Sequence, residues 1–429
     1  MALQGIEKIS RRDFLRNGMV FGAGAVGLAA GYAAVPDVFA RAVYAAKRDG
    51  ATNDRILVMI QLAGGNDGLG TVLPLGDGTL RSLRPTLGRV ADNALPLGGG
   101  FGLNASLKGI KALYDQGKVA IVNGVGYPKP SFSHFDSIRV WETGDPTRRQ
   151  QDGWLGKTIE KNYDSAGHPL VGCACGSTGV PGALADLQAT LTVVNNQRQF
   201  AFDGGDMRDR AMGALYRSTP GMYGALFDTS VATARDTMAK LRTAAASYVP
   251  KAKYDDNVRL VYSSKNQLAS ALQLAAELIV SGTGAKILHG TLGGFDTHQQ
   301  QAARQDQLLA YLDSAASAFY QDLAGYGMSD RVLIATWSEF GRRPRENANG
   351  GTDHGTASPV MLIGDTVKGG LYGESPSLTA LDATGNLKYA VDFRAVYQEI
   401  LDSHLGVDPR EVIPATYDRV PFIGKRAAS

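Results

Sequence analysis

Arg55-Ile56-Leu57-Val58-Met59-Ile60-Gln61-Leu62 is an almost unbroken apolar run, the pattern of a strand buried on both faces. It ends abruptly in Gly64-Gly65-Asn66-Asp67-Gly68. A helical pattern over Leu107 to Tyr114 leads to a second strand, Val119 to Val122. Lys286 to Leu292 and Arg331 to Trp337 read as further strands, each followed by a Gly-containing loop, with a long helical pattern from about Gln301 to Tyr326 between them. Val360 to Ile363 makes a fifth strand, and Phe393 to Leu405 a closing amphipathic helix. Strands alternating with helices predict an α/β fold with a mostly parallel sheet covered on both faces. The interval of about 178–284 breaks the rhythm. It is Ala-rich, helical and charged from Met207 to Leu278, and it predicts an inserted helical cap.

The N-terminus changes the picture of where this fold works. Ser10-Arg11-Arg12-Asp13-Phe14-Leu15 has the shape of a twin-arginine export signal, followed by an uncharged run from Gly18 to Val35 and small residues at Ala40, Ala42, Ala45 and Ala46 suited to cleavage. The run is short and mild beside the roughly 20 strongly apolar residues of a spanning helix, so an uncleaved anchor is the weaker reading. Residues 1–45 are therefore expected to be a signal read by the twin-arginine translocase. Residues 46–429 would then be a periplasmic or extracellular domain, exported already folded and without a stable transmembrane span. A formal charge of +3 on 429 residues, with no basic block, argues against nucleic acid as a partner. The two cysteines, Cys173 and Cys175, are too few for a zinc or iron–sulfur set and read as small core residues.

In open α/β sheets ligands bind beyond the carboxyl ends of the strands, and the polar clusters collect there. Asp67 follows the first strand; Ser131, Ser133 and His134 follow the second. Asp296 and His298 follow the Lys286–Leu292 strand, and Glu339 and Arg342 the next. Asp353 and His354 sit in a Gly-rich loop before the last strand. Carboxylate with imidazole suits zinc, manganese or iron(II), whereas calcium wants oxygen alone. In an extended chain Asp296 and His298 share a face and can aim at one ion, with His354 as a third ligand. Plainer roles compete. Asp67 could be a turn former, Ser133 a helix cap, and Glu339 and Arg342 a local ion pair. His168, His289 and His404 show no clustering and read as structural or exposed.

Gly64-Gly65-Asn66-Asp67-Gly68-Leu69, Ser133-His134-Phe135, Gly293-Gly294-Phe295-Asp296-Thr297-His298, Ser338-Glu339-Phe340-Gly341-Arg342-Arg343 and Gly350-Gly351-Thr352-Asp353-His354-Gly355-Thr356 together resemble the bacterial "domain of unknown function 1501" family. That family is placed near the alkaline phosphatase and sulfatase superfamily. The resemblance implies a three-layer α/β/α sandwich. It also implies roles: Asp67, Asp296, His298, Glu339, Asp353 and His354 around one or two divalent metals, zinc first, and Ser133 as nucleophile with Ser131 as its rival. His134 and Arg342 would assist catalysis, Arg342 by neutralising transition-state charge. Superfamily members commonly carry Asp-His-Gly where this chain has Glu339-Phe340-Gly341, so the second metal position is weakened. Two functions follow as expectations. One is a metal-dependent hydrolase of phosphate or sulfate esters, on a small-molecule or polysaccharide substrate. The other is a non-catalytic envelope or polysaccharide-binding protein on the same scaffold.

Overall fold

The computed structural model describes residues 54–195, 224–254, 266–413 and 415–424, with the backbone of Val26–Leu28. The twin-arginine motif lies outside the described residues. In chain order the strands are β1 (Val26–Leu28), β2 (Ile56–Ala63), β3 (Val72–Pro74), β4 (Leu95–Gly98), β5 (Phe101–Leu103), β6 (Val119–Gly126) and β7 (Gly172–Cys175). They continue with β8 (Thr192–Val194), β9 (Ile287–Gly293), β10 (Val332–Trp337), β11 (Ser358–Ile363), β12 (Gly370–Tyr372) and β13 (Val391–Asp392). The main sheet runs β1-β8-β7-β9-β2-β10-β11-β6-β12, with β13 also paired to β6, while β3, β5 and β4 form a small antiparallel sheet.

From β8 through β7, β9 and β2 to β10 every pairing is parallel, and β12 and β13 run parallel to β6. β11 is antiparallel to both β10 and β6, so β6 and β10 point the same way. The sheet is mostly parallel, as the sequence pattern requires. Residue alternation separates two cores. Ile56, Val58 and Ile60 of β2 face one, with Val332 and Ile334 of β10 and the helices Lys108–Asp115, Gln267–Val280 and Gln301–Gly325. Leu57 and Met59 face the other, with Leu333 and Ala335 and the helices His134–Thr143, Trp154–Asn162 and Phe393–Glu399. This is the three-layer α/β/α sandwich. Each Leu, Ile or Val so buried stabilises by about 1.5–3 kcal/mol relative to exposure, which makes β2 a central strand.

The interval 178–284 differs from the expected cap. Its β8 belongs to the main sheet, and its helix Gln267–Val280 is buried along most of its length against the same core as β9. Gln267–Val280 is apolar on nearly all sides, and such a helix goes inside; the charge of the wider segment masks this in the sequence. Cys173 and Cys175 are buried on that face, with their sulfurs 3.9 Å apart. Among the described residues no helix is long and apolar enough to cross a membrane.

Candidate metal centre

β2, β6, β9 and β10 all point to one edge of the sheet, and the loops that leave them carry the candidate residues; His354 joins them from the loop that enters β11. Close loop packing depends on glycine. Gly64 has φ +117°, and a Cβ there would lie 2.4 Å from the backbone nitrogen of Asp296. A Cβ on Gly351 would lie 2.3 Å from the carbonyl carbon of His298. Only chains without side chains at these points can bring the β2, β9 and 347–355 loops together.

Asp296 Oδ1 is the hub. His298 Nε2 lies 2.9 Å from it, His354 Nε2 3.0 Å and His134 Nε2 3.5 Å, and the Nε2 atoms of His298 and His354 are 2.9 Å apart. The other nitrogen of each ring faces an oxygen. His134 Nδ1 is 2.8 Å from Glu339 Oε1, His354 Nδ1 is 2.7 Å from the Phe132 carbonyl, and His298 Nδ1 is 3.4 Å from Asp353 Oδ1. Carbonyl and carboxylate oxygens only accept, so Nδ1–H is the donor in His134 and His354, and Nε2 of each neutral ring is bare. The His298 contact is long for a hydrogen bond and orients the ring without fixing its tautomer.

Bare nitrogens aimed at one carboxylate oxygen repel it unless a cation or protons lie between them. His134 Nε2 is buried with no hydrogen-bond partner. A tetrahedral ion with bonds of roughly 2.0–2.1 Å sets its donors about 3.3–3.4 Å apart, and the three Nε2 atoms lie 2.9–3.5 Å from Asp296 Oδ1. Imidazoles held from behind by a carboxylate or a carbonyl are what metal-binding histidines show. His134, Asp296 and His354 alone bring three possible ligand atoms within 4.8 Å of one another.

The electrostatics favour the ligating protonation states. Partial burial raises Asp296, but the hydrogen bond from Arg342, with His354 beside it when that ring is protonated, outweighs burial and brings the carboxyl down to about 2. Burial holds His354 below its ordinary value, against the opposing pull of the Phe132 carbonyl and Asp296. A hydrogen bond from Asn347, with a smaller one from His298, lowers Asp353.

Not every expected residue reaches this point. Asp67 does not join this cluster. It is buried, Arg84 holds both its oxygens at 2.6 and 2.9 Å, and Gln301 donates to Oδ2 at 2.6 Å. Glu339 stands behind the cluster, accepting from His134 and from the Gly64 amide at 2.8 Å. Asp353 likewise sits behind His298, at the Nδ1 side of its ring. Arg342 is buried. It donates to the carbonyls of Gly64, Gly65, Phe295 and Thr352 and, at 2.7 Å, to Asp296. It therefore ties the loops together and does not pair with Glu339. His134 joins Asp296 and His354 in the group that could hold an ion. Phe340, where a further histidine was looked for, lies against His134 and His354 with ring centroids 4.9 and 4.6 Å away. Ser133 is exposed at the N-cap of the helix His134–Thr143, and its side chain makes no capping hydrogen bond. Sequence reasoning missed Arg84 and the Phe132 carbonyl; neither stands in a motif, and a backbone oxygen has no sequence signal.

No curated protein matches the chain. Among solved structures, it is similar to a protein in the alkaline phosphatase superfamily from Vibrio parahaemolyticus, at 9% identity and a TM-score of 0.36 over 79% of this chain and 68% of that one. It is also similar to the C-terminal periplasmic domain of EcEptC from Escherichia coli in complex with zinc, at 11% identity and a TM-score of 0.38 over 88% of this chain and 91% of that one. A third, the PsFucS1 sulfatase from Pseudoalteromonas sp., shares 11% identity at a TM-score of 0.33 over 79% of this chain and 68% of that one. The family described as "Protein of unknown function (DUF1501)" matches residues 119–422, and the chain belongs to that family.

Proposed function

We propose that this chain is an exported, metal-dependent hydrolase of phosphate or sulfate esters, built around one divalent ion, zinc before manganese or iron(II). Asp296, His134, His298 and His354 would hold the ion. The observation that carries the reading is the convergence of three imidazole Nε2 atoms on Asp296, two of them bare in the neutral ring because their Nδ1–H groups are already committed. An ion there supplies a Lewis acid for an ester oxygen and favours the deprotonated form of a nearby hydroxyl.

The protein's own groups have distinct parts. Arg342 keeps Asp296 ionised, while Glu339 and the Phe132 carbonyl fix the rings of His134 and His354. Ser133 stands beside His134, exposed and uncommitted to a cap, and is assigned as the nucleophile. Its Oγ would form a bond to phosphorus or sulfur as the ester oxygen departs, and water would then hydrolyse the seryl ester. Ser131 is the weaker rival, because its Oγ already donates to Asp136 and accepts from the Ser133 amide. The export assignment rests on the N-terminal sequence.

The test is elemental analysis of the purified protein beside Asp296→Ala and His354→Ala, followed by a phosphatase and sulfatase panel with Ser133→Ala. One ion per chain, lost in the first two variants, and turnover reduced at least about 100-fold in the third are expected. A folded wild type that takes up no metal on reloading, or a loaded one inert to the panel, would sink the hydrolase.

A further inference from the structure

Six large apolar side chains are exposed among the described residues, and the three aromatic ones are Phe132, Phe135 and Tyr389. Phe132 and Phe135 adjoin the metal centre in sequence, and Tyr389 stands at the same edge of the sheet. The Phe132 carbonyl is the acceptor for His354 Nδ1, while its ring is 39% exposed. Phe135 follows His134 directly and is 89% exposed. Tyr389 stands beside the end of β6. A Cβ on Gly126 would lie 2.8 Å from Tyr389 Cβ and 3.9 Å from Ala357 Cα, in the loop that carries His354.

A phenylalanine left almost wholly in water gains nothing from folding. Three rings exposed at one edge of the sheet, while the other exposed apolar side chains are the aliphatic Leu75, Leu187 and Val249, call for a ligand with a ring face. The polar groups beside them narrow its chemistry. Lys129 and Lys388 are exposed near Phe132 and Tyr389, which suits an anionic chain. Asn347 and Asp353 border the centre and offer hydrogen-bonding groups for hydroxyls. A pyranose has an apolar C–H face and a hydroxyl edge, and it matches both. A polynucleotide could also stack here, but its phosphate on every residue asks for a basic block, and the sequence carries none.

We propose that this rim binds the sugar rings of an anionic polysaccharide, with Phe132, Phe135 and Tyr389 as stacking platforms. The ester presented to the metal centre is then carried on that chain, a step that rests on the hydrolase reading; the binding does not.

The experiment is affinity electrophoresis of the full, metal-loaded chain through gels containing dextran sulfate, phosphomannan or neutral dextran, beside a Phe135→Ala/Tyr389→Ala variant. Titration with a single-stranded oligothymidylate runs in parallel. Retardation by at least one anionic glycan, cut about fivefold or more in a variant with unchanged circular dichroism and metal content, is expected. No retardation by either anionic glycan, equal retardation of the variant, equal retardation by neutral dextran, or tighter binding of the oligonucleotide overturns the proposal. Free sulfate and phosphate are measured in the same samples. Retention without release then counts against the hydrolase alone, and release from small esters without retention counts against the rim alone.

Discussion

Asp67 and Asp296 leave neighbouring parallel strands, β2 and β9, at the same edge of the sheet, and each has an arginine. They end in opposite states. Arg84 grips both oxygens of Asp67, and the pair is sealed at 1% side-chain exposure for both partners. Arg342 reaches only Oδ1 of Asp296, through Nη2, a nitrogen it shares with the Gly64 and Phe295 carbonyls while Nε and Nη1 hold those of Gly65 and Thr352. Asp296 is left 48% exposed and facing three imidazoles. Both arginines also serve backbone carbonyls, Arg84 those of Arg343 and Pro344, so the difference lies in the grip. A carboxylate held at both oxygens and sealed from water becomes a strut, and one held at a single oxygen and half exposed stays available to a ligand.

The largest effect should come from breaking the strut. Arg84→Ala leaves Asp67 buried without its counter-charge, a change that typically costs about 3–5 kcal/mol. Urea unfolding should show that loss, with metal content per folded chain unchanged. An Arg84→Ala protein as stable as wild type would mean the pair is not the strut described. Asp296→Ala should give the reverse pattern. Metal affinity falls by two orders of magnitude or more, about 2.7 kcal/mol or above, while the metal-free protein shifts by less than about 1 kcal/mol, because the side chain is half exposed. Glu339→Gln lies between them. It loosens the ring of His134 from behind, so metal affinity should fall about 10–100-fold, with full occupancy recovered at high metal in a calorimetric titration. No change would show that Glu339 does not orient His134.

Much of the frame was legible because it depends on periodicity. The run Ile56–Leu62 could only be a strand covered on both sides, and its two cores bear that out. The loops that bring Asp296, His298 and His354 together were legible too, since strand ends in a parallel sheet share an edge. The partners of those side chains were not. Nothing in Leu83-Arg84-Pro85 indicates that Arg84 will take Asp67, because the contact joins segments through packing rather than pattern. Glu339 and His134 were each visible as ionisable residues, but which of the two would face the ion depends on loop geometry. The interval 178–284 misled for a different reason: averaged charge hid the apolar helix Gln267–Val280 inside it.

The smallest expected effect is also the one that tests Arg342 most directly. In the metal-free protein Asp296 titrates at about 2, below its ordinary 3.8. A carboxyl lowered on folding contributes stability that is complete above about pH 4 and is lost as pH falls through about 2. The full shift would correspond to a little over 2 kcal/mol, and screening at a half-exposed group reduces this to about 1 kcal/mol. His354 has its own window. Its folded value is lowered, so its contribution is complete above about 6.5 and is lost as pH falls below that. Urea midpoints of the metal-free wild type should therefore decline in two stages, the first absent in His354→Gln and the second shallower in Asp296→Asn. If Asp296→Asn follows the wild-type decline between pH 5 and pH 2, Arg342 is not holding that carboxylate ionised. The contrast with Asp67 would then rest on exposure alone.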